Sequence, residues 1–269
     1  MKKVSDFSEE HERYIKRFKK ENATVTVLRF ALLALILGIW ELFATVGVID
    51  PFIASSPSRI FITVKRLFIE DNFLYHIGIT LYETVLGFII AVVAGYVFAL
   101  MLWWSERLRR VLEPYIVVLN SLPKIALGPI IIVWFGSGVK AIVFMAVIVG
   151  IIVALITMLN GFLATDKNKI LLLKSFGANK FQILIKLVIP GSLPTFISML
   201  KISVGMAWIG SIMGEYLVSR AGLGYLIVYG GQVFKLDLVM ASTVMLCVFA
   251  TLMYVFVAFL EKKMIKYKN

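Results

Sequence analysis

The chain has 269 residues, of which 60% are hydrophobic and only 16% are charged, and its mean hydropathy is +0.92. Soluble domains are about 45–50% apolar and about 25% charged, so the composition excludes a soluble globular protein and predicts a membrane protein. The net charge of +12 would suggest nucleic-acid binding in a soluble protein, but here the basic residues lie between apolar blocks, and we expect no nucleic-acid partner.

Six apolar blocks are long enough to span a bilayer as helices, which needs about 20 residues each. They cover residues 27–48, 78–104, 111–135, 139–161, 193–218 and 238–260. We therefore predict an all-α membrane protein. Residues 1–26 form an N-terminal segment, residues 27–262 a six-span transmembrane domain, and residues 263–269 a tail.

The basic residues indicate the orientation of these spans. Lysine and arginine are concentrated in the N-terminal segment, around residues 107–110, between residues 167 and 186, and in the tail. The segments on the other side carry few of them. Because cytoplasmic loops are enriched in lysine and arginine, this asymmetry predicts that both termini and residues 162–192 are cytoplasmic.

Two segments on the predicted outer side are too short or too polar to span. Residues 50–73 contain Pro57 between two serines, a plausible helix start, followed by apolar residues at helical spacing. This pattern predicts a short amphipathic helix on the outer face. Residues 221–237 contain several glycines, and we predict an outer loop there.

The third and fifth spans have unusual compositions, which favour contact with other helices or with a pathway through the membrane. The third is interrupted at Pro123, and irregular backbone at membrane depth is tolerated against protein or a water-filled cavity. The fifth is rich in small residues, which permit close helix packing or leave room for a pathway. The pathway candidates in these two spans are Pro123, Lys124, Lys201, Gly205, Trp208, Ser211 and Glu215. For Lys124 and Lys201, bracing or snorkelling is the simpler alternative. For Glu215 the alternatives are an ion pair with Arg220 or a gating role.

The polar segment at residues 162–192 predicts a compact protrusion. Residues 168–176 favour a short helix, Gly177 suits the left-handed conformation that ends it, and Asn179 suits the cap of a following helix. The leucines at 171–173 would fit an apolar groove on a partner protein. The alternative is a loop that lies on the membrane surface.

Three segments resemble the permease subunits of ABC importers. Gly177 stands thirteen residues before Pro190, as in the signature loop of that family. Residues 121–136 and 207–227 resemble the third span, the fifth span and its following loop in the branch that carries nitrate, sulfonates, taurine and thiamine precursors. One departure is clear: Leu171, Leu172 and Leu173 stand where the family has Glu-Ala-Ala.

The resemblance implies a type I importer fold in a multi-pass protein of the bacterial cytoplasmic membrane. It further implies two permease copies in the bilayer, an extracellular solute-binding protein that delivers a small solute, and two ATPase subunits that bind ATP and Mg. The ATPase would contact the signature loop at Leu171, Leu172, Leu173, Ser175, Phe176, Gly177, Ala178, Asn179 and Pro190.

We expect this chain to have no enzymatic activity, cofactor or metal of its own. It has no Gly-x-x-x-x-Gly-Lys-Ser/Thr sequence, and its one cysteine, Cys247, lies in an apolar block without a partner. The alternative function is an ion-coupled secondary transporter, which needs a carboxylate or histidine relay within the membrane. The acidic residues lie near span ends or in loops, which argues against that alternative.

Overall fold

The computed structural model describes residues 9–70 and 72–265, and the structure in these ranges is helical and free of β-strands. The predicted tail beyond residue 265 and the first eight residues of the predicted N-terminal segment lie outside the described residues. The chain divides into two compact units, one up to Thr63 and one from Val64 onward.

The first unit contains a long helix and the start of an amphipathic one. Its helices are α1 (Glu9–Val46), α2 (Pro51–Ala54) and the first turns of α3 (Pro57–Glu70), which continues into the second unit. Glu41 accepts hydrogen bonds from the backbone N–H (3.0 Å) and the hydroxyl (2.6 Å) of Ser58, so a carboxylate lies at the N-terminus of α3. The predicted helix after Pro57 is confirmed.

α1 begins well before the predicted first span. The sequence predicted an apolar helix from residue 27, whereas α1 starts at Glu9. Glutamate, lysine, arginine and alanine are good helix formers, so the polar stretch before the span continues the same helix. Hydropathy located the apolar part of α1 and not its start.

The second unit contains the remaining helices. They are α4 (Phe73–Trp104), α5 (Glu106–Ser121), α6 (Gly128–Phe135), α7 (Val139–Leu163), α8 (Lys167–Ser175), α9 (Lys180–Ile183), α10 (Ile189–Gly191), α11 (Leu193–Val218), α12 (Leu223–Gln232) and α13 (Leu236–Ile265). A 3₁₀ turn, Lys124–Leu127, precedes α6, and a π-helical turn, Leu184–Val188, precedes α10.

Five of the described helices are long and apolar enough to cross a membrane. α5 and the segment Lys124–Phe135 make a sixth span if they are counted together, although they meet at an angle of 89°. The break falls at Pro123, as the sequence predicted, because proline lacks the N–H that would continue the helix.

One predicted outer loop is wrong. Within residues 221–237 the structure has helix α12, a ten-residue helix that begins directly after Gly222. The glycines at 224, 230 and 231 weaken helix propensity, and this misled the prediction. Contacts from α4 and α11, described below, stabilise the helix.

α4, α7 and α11 form the core of the second unit through very close packing. α4 and α7 run parallel, with Gly87 against Ala146 and Gly95 against Ala154, and α11 runs antiparallel with Gly210 against Ala146. Small residues let helix backbones approach closely, which is a main source of helix association in membranes. We call the end of this bundle at Trp104, Leu163 and Leu193 the loop end, and the opposite end the far end.

Two glycines on α11 provide a matched test of this packing. A Cβ on Gly210 would lie 2.5 Å from Cα of Ala146, whereas a Cβ on Gly205 would meet nothing within 4 Å. We expect Gly210→Ala to destabilise the purified permease by about 1–3 kcal/mol. Gly205→Ala should be neutral or stabilise it by up to ~1 kcal/mol through helix propensity. Thermal unfolding in detergent measures both, and equal unfolding midpoints for the two variants would contradict the packing described here.

Candidate coupling loop and pathway residues

The segment between α7 and α11 is an ordered protrusion at the loop end. The side chain of Asp166 caps α8 by accepting from the N–H of Asn168 (2.8 Å). The last residue of α8 is Ser175, and its hydroxyl donates to the carbonyl of Leu171 (3.1 Å). The predicted helix at 168–176 is therefore confirmed, shifted by one residue to Lys167–Ser175.

The corner after α8 is a Schellman motif. Gly177 has φ +80°, the predicted left-handed conformation. Its N–H donates to the carbonyl of Lys174 (2.9 Å), and the N–H of Ala178 donates to the carbonyl of Leu173 (3.0 Å). These two bonds satisfy carbonyls that a helix C-terminus otherwise leaves free.

A capping box fixes the direction of the chain after the corner. The side chain of Asn179 accepts from the N–H of Gln182 (2.8 Å), and the side chain of Gln182 accepts from the N–H of Asn179 (2.9 Å). The predicted cap is confirmed. Pro190 lies in α10, directly after the π-helical turn, and so marks the return of the chain toward α11.

The three leucines that replace Glu-Ala-Ala have different environments. The side chains of Leu171 and Leu172 are 64% and 55% exposed, and Phe176, four residues after Leu172, is 77% exposed. Leu173 instead packs into the hydrophobic cluster beneath the loop, together with Ile170. Leu171, Leu172 and Phe176 thus form an exposed apolar surface that faces away from the bundle, which we call the outer surface of α8. The opposite face of α8 packs against the bundle.

The predicted pathway residues of the broken span lie at its 89° bend. Pro123 is exposed. The ammonium group of Lys124 donates to the carbonyl of Asn120 (2.9 Å), one of the carbonyls at the C-terminus of α5 that have no partner within the helix. Lys124 therefore caps α5 in this structure, and contact with solute stays a prediction.

The predicted pathway residues of α11 are divided between its surfaces. Lys201 forms an ion pair with Glu261 of α13 (2.5 Å), which is the bracing alternative. Gly205 faces open space. Trp208 and Ser211 are buried, and the Ser211 hydroxyl lies 2.6 Å from that of Thr84 on α4. The structure thus does not gather these residues into one site, and their place along a pathway stays a prediction.

Glu215 has a partner that the sequence analysis did not foresee. The carboxylate accepts hydrogen bonds from the N–H groups of Gly224 (2.6 Å) and Tyr225 (3.3 Å), so Glu215 caps α12 instead of forming the suggested pair with Arg220. A carboxylate is favourable there because a helix N-terminus carries partial positive charge and free N–H groups. A Cβ on Gly222 or Gly224 would collide with this carboxylate, which explains the two glycines.

Two residues of α4 complete the cap. The N–H of Leu223 donates to the hydroxyl of Thr80 (2.8 Å), and the N–H of Gly222 donates to Nδ1 of His76 (3.0 Å), whose ring stacks on Tyr225. Four successive N–H groups at the start of α12 are thereby satisfied by side chains of α4 and α11. The carboxyl group of Glu83, also on α4 and fully buried, contacts that of Glu215.

The sequence carried a signal for this cap. Thr80 follows His76 by four residues, and Glu83 and Thr84 follow Thr80 by three and four, so these residues form a polar stripe on one side of an otherwise apolar helix. A polar stripe in a membrane helix indicates an interior partner. Hydropathy averages over the stripe, and the residues that it contacts are 143 and 146 positions away in the chain, so the sequence alone did not identify α12.

Comparison with known proteins agrees with this architecture. The sequence profile of the family described as "Binding-protein-dependent transport system inner membrane component" matches residues 87–266, which is 180 of the 269 residues. The chain belongs to this family. It is thus a membrane-embedded permease subunit of a bacterial-type ABC importer. The family predicted from the signature loop is confirmed.

Relatives of this permease align over most of its length. It is 30% identical to a probable ABC transporter permease protein of Haemophilus influenzae, over 83% of this chain and 90% of the relative. It is 26% identical to a putative aliphatic sulfonates transport permease protein of Bacillus subtilis, over 88% of this chain and 86% of that protein. It is 32% identical to a formylaminopyrimidine transport permease protein of Halalkalibacterium halodurans, over 70% and 74%.

Solved structures share the fold of this permease. An inward-facing structure of the MetNI methionine ABC transporter has a TM-score of 0.62 at 18% identity and covers 77% of this chain and 98% of that chain. A bacterial ABC transporter that imports the acidic polysaccharide alginate has a TM-score of 0.63 at 16% identity and covers 95% and 99%. The predicted type I importer fold is confirmed.

The cap of α12 provides a test by substitution. Thr80→Val keeps the shape of the side chain but leaves the buried N–H of Leu223 without an acceptor, which costs about 1–3 kcal/mol. We expect faster amide hydrogen exchange in α12 and a lower unfolding temperature. The control is Thr243→Val, because the Thr243 hydroxyl is exposed and donates to a carbonyl within its own helix. Unchanged exchange at residues 222–226 in Thr80→Val would contradict the cap.

Proposed function

We propose that two copies of this permease form the translocation pathway for a small solute and that residues 162–192 are the ATPase-coupling loop. An extracellular binding protein delivers the solute at the far end, and the ATPase subunits bind at the loop end. The observation that carries this proposal is the apolar outer surface of α8, formed by Leu171, Leu172 and Phe176 on a rigid corner.

The apolar outer surface has the geometry of a docking element. Leu172 and Phe176 are four residues apart and therefore lie on one side of the helical turn. The Schellman motif and the capping box fix the backbone beneath them, so little conformational entropy is lost on binding. Exposed contiguous apolar groups mark interaction sites. Because leucine replaces the family glutamate at 171, we propose that apolar packing dominates the first part of this contact.

The distribution of basic residues supports a cytoplasmic position for the loop. Lys167, Lys169, Lys174, Lys180 and Lys186 all lie between α7 and α11. By the positive-inside rule we propose that this end of the bundle faces the cytoplasm and that both termini are cytoplasmic. The alternative, a loop lying on the membrane surface, would bury Leu171 and Leu172 in the lipid interface and not in a protein groove.

The ATP-hydrolysing chemistry belongs in this proposal to the partner subunits. The chain itself would have no enzymatic activity and bind neither ATP nor Mg. ATP binding would draw the two ATPases together, displace the coupling loops, and swing the helices between inward-open and outward-open arrangements. The solute is a small organic molecule of the kind named for its relatives, which include permeases for aliphatic sulfonates and formylaminopyrimidine.

One residue bears directly on the ion-coupled alternative. Glu83 of α4 is fully buried, and such a transporter would need an interior carboxylate of this kind. Its carboxyl group, however, contacts Glu215, and Glu215 caps α12. Membership of the importer permease family decides against the alternative.

Aspartate substitutions in the leucine run test the coupling loop. Leu171→Asp or Leu172→Asp would bury an unpaired charge at the ATPase contact, which costs roughly 3 kcal/mol or more. We expect either variant to reach normal membrane levels and to bind the co-expressed partner ATPase about 100-fold more weakly. Co-purification from detergent-solubilised membranes measures this.

The third leucine is the matched control. Leu173 packs against the chain's own hydrophobic cluster, so Leu173→Asp should lower membrane levels of the permease itself. Wild-type retention of the ATPase by both Leu171→Asp and Leu172→Asp would show that the outer surface of α8 is not the dock. Equal loss of membrane protein in all three variants would favour packing of the three leucines within the permease's own fold over docking.

A further inference from the structure

Lys180 is the first residue of α9 and follows directly on the corner that carries the outer surface of α8. The capping box formed by Asn179 and Gln182 holds the backbone at this position. The backbone of Lys180, and with it the direction of its side chain, is therefore fixed by hydrogen bonds between other residues.

The ammonium group of Lys180 binds the end of α4. It donates a hydrogen bond to the carbonyl of Trp104, the last residue of that helix. This carbonyl is one of the four that a helix C-terminus leaves without a partner within the helix, and the negative end of the helix dipole lies at the same place. A lysine ammonium group satisfies both the hydrogen bond and the charge.

The same ammonium group lies over two indole rings. It is 5.7 Å from the ring centroid of Trp103 and 5.3 Å from that of Trp104, both within cation–π range. Trp103 in turn packs into the hydrophobic cluster that includes Leu173 and Ala178 of the loop. The loop is therefore attached to the C-terminus of α4 in three ways. Lys180 provides a hydrogen bond and two cation–π interactions, and Leu173 and Ala178 provide apolar packing.

α5 begins beside the same contact. Only Ser105 separates Trp104, the last residue of α4, from Glu106, the first residue of α5. α5 leads to the 89° bend at Pro123. A displacement of the loop that is carried through Lys180 thus reaches both the close-packed core helix α4 and the start of the broken span.

We infer that Lys180 is a positioning residue that transmits displacement of the coupling loop to α4 and α5. This role rests on the proposed function, because it presumes that an ATPase moves the loop. Lys180 is distinct from the dock: Leu171, Leu172 and Phe176 contact the ATPase, and Lys180 couples that contact to the helices. Removing Lys180 should therefore leave ATPase binding intact and weaken the response of α4.

The test uses three variants of the full chain. Lys180→Met keeps the length of the side chain and removes the ammonium group, whereas Lys180→Arg keeps a cation that can donate to the carbonyl and stack on the indole rings. Lys174→Met is the control, because it removes the same charge from the same loop and Lys174 lies beside the same cavity as Trp103. Amide hydrogen exchange by mass spectrometry follows residues 176–183 in the free permease.

In the complex with the ATPase, exchange of residues 97–104 is compared before and after trapping with ATP and vanadate. We expect Lys180→Met to co-purify with the ATPase at the wild-type level, to exchange at residues 176–183 roughly five-fold faster, and to lose the vanadate-induced change in α4. Lys180→Arg should restore both readouts, and Lys174→Met should behave as wild type.

Other outcomes would overturn the inference. Wild-type exchange at residues 176–183 in Lys180→Met would show that the contact does not hold the loop. Loss of ATPase binding in Lys180→Met with unchanged loop exchange would make Lys180 a docking residue. If the wild type itself does not retain the ATPase, the proposed function fails, and the exchange measurement on the free permease still decides whether Lys180 holds the loop to α4.

Discussion

The close packing of α4, α7 and α11 is the constraint on which the rest of the structure depends. Gly87, Gly95 and Gly210 allow the helix backbones to approach so closely that a single added methyl group would meet Ala146 or Ala154. Packed helices of this kind shift as bodies and do not deform continuously. A displacement at one end of the bundle is therefore transmitted to the other end, provided that the segments at each end are attached to the bundle.

Signals that act within a few residues of each other made the loop end predictable. Gly177 needed a left-handed conformation because a helix had to end there, and Asn179 was followed by an apolar helical pattern that needed a cap. Pro123 had to break its span because proline cannot continue a helix. Each of these features depends on local backbone chemistry, and such chemistry can be read from a single sequence.

Features that depend on partners distant in the chain were not predictable in this way. α12 has a glycine-rich sequence with weak helix propensity, and it is helical because Thr80 and Glu215 satisfy its first N–H groups. The ion pair of Lys201 with Glu261 joins residues 60 positions apart. Hydropathy and periodicity describe one helix at a time, so they reveal a polar stripe without revealing what it contacts.

The central claim is that the proposed coupling loop and α12 are attached to one rigid bundle within the permease chain. It is tested most directly by pulsed electron paramagnetic resonance between spin labels at Lys169→Cys and Gly231→Cys in a Cys247→Ser background. Both positions are exposed, Lys169 lies on α8 outside the proposed ATPase contact, and Gly231 has open space around it. In a transporter with one labelled copy, we expect the same distance distribution before and after trapping with ATP and vanadate. A shift of that distance within a single copy would contradict the claim.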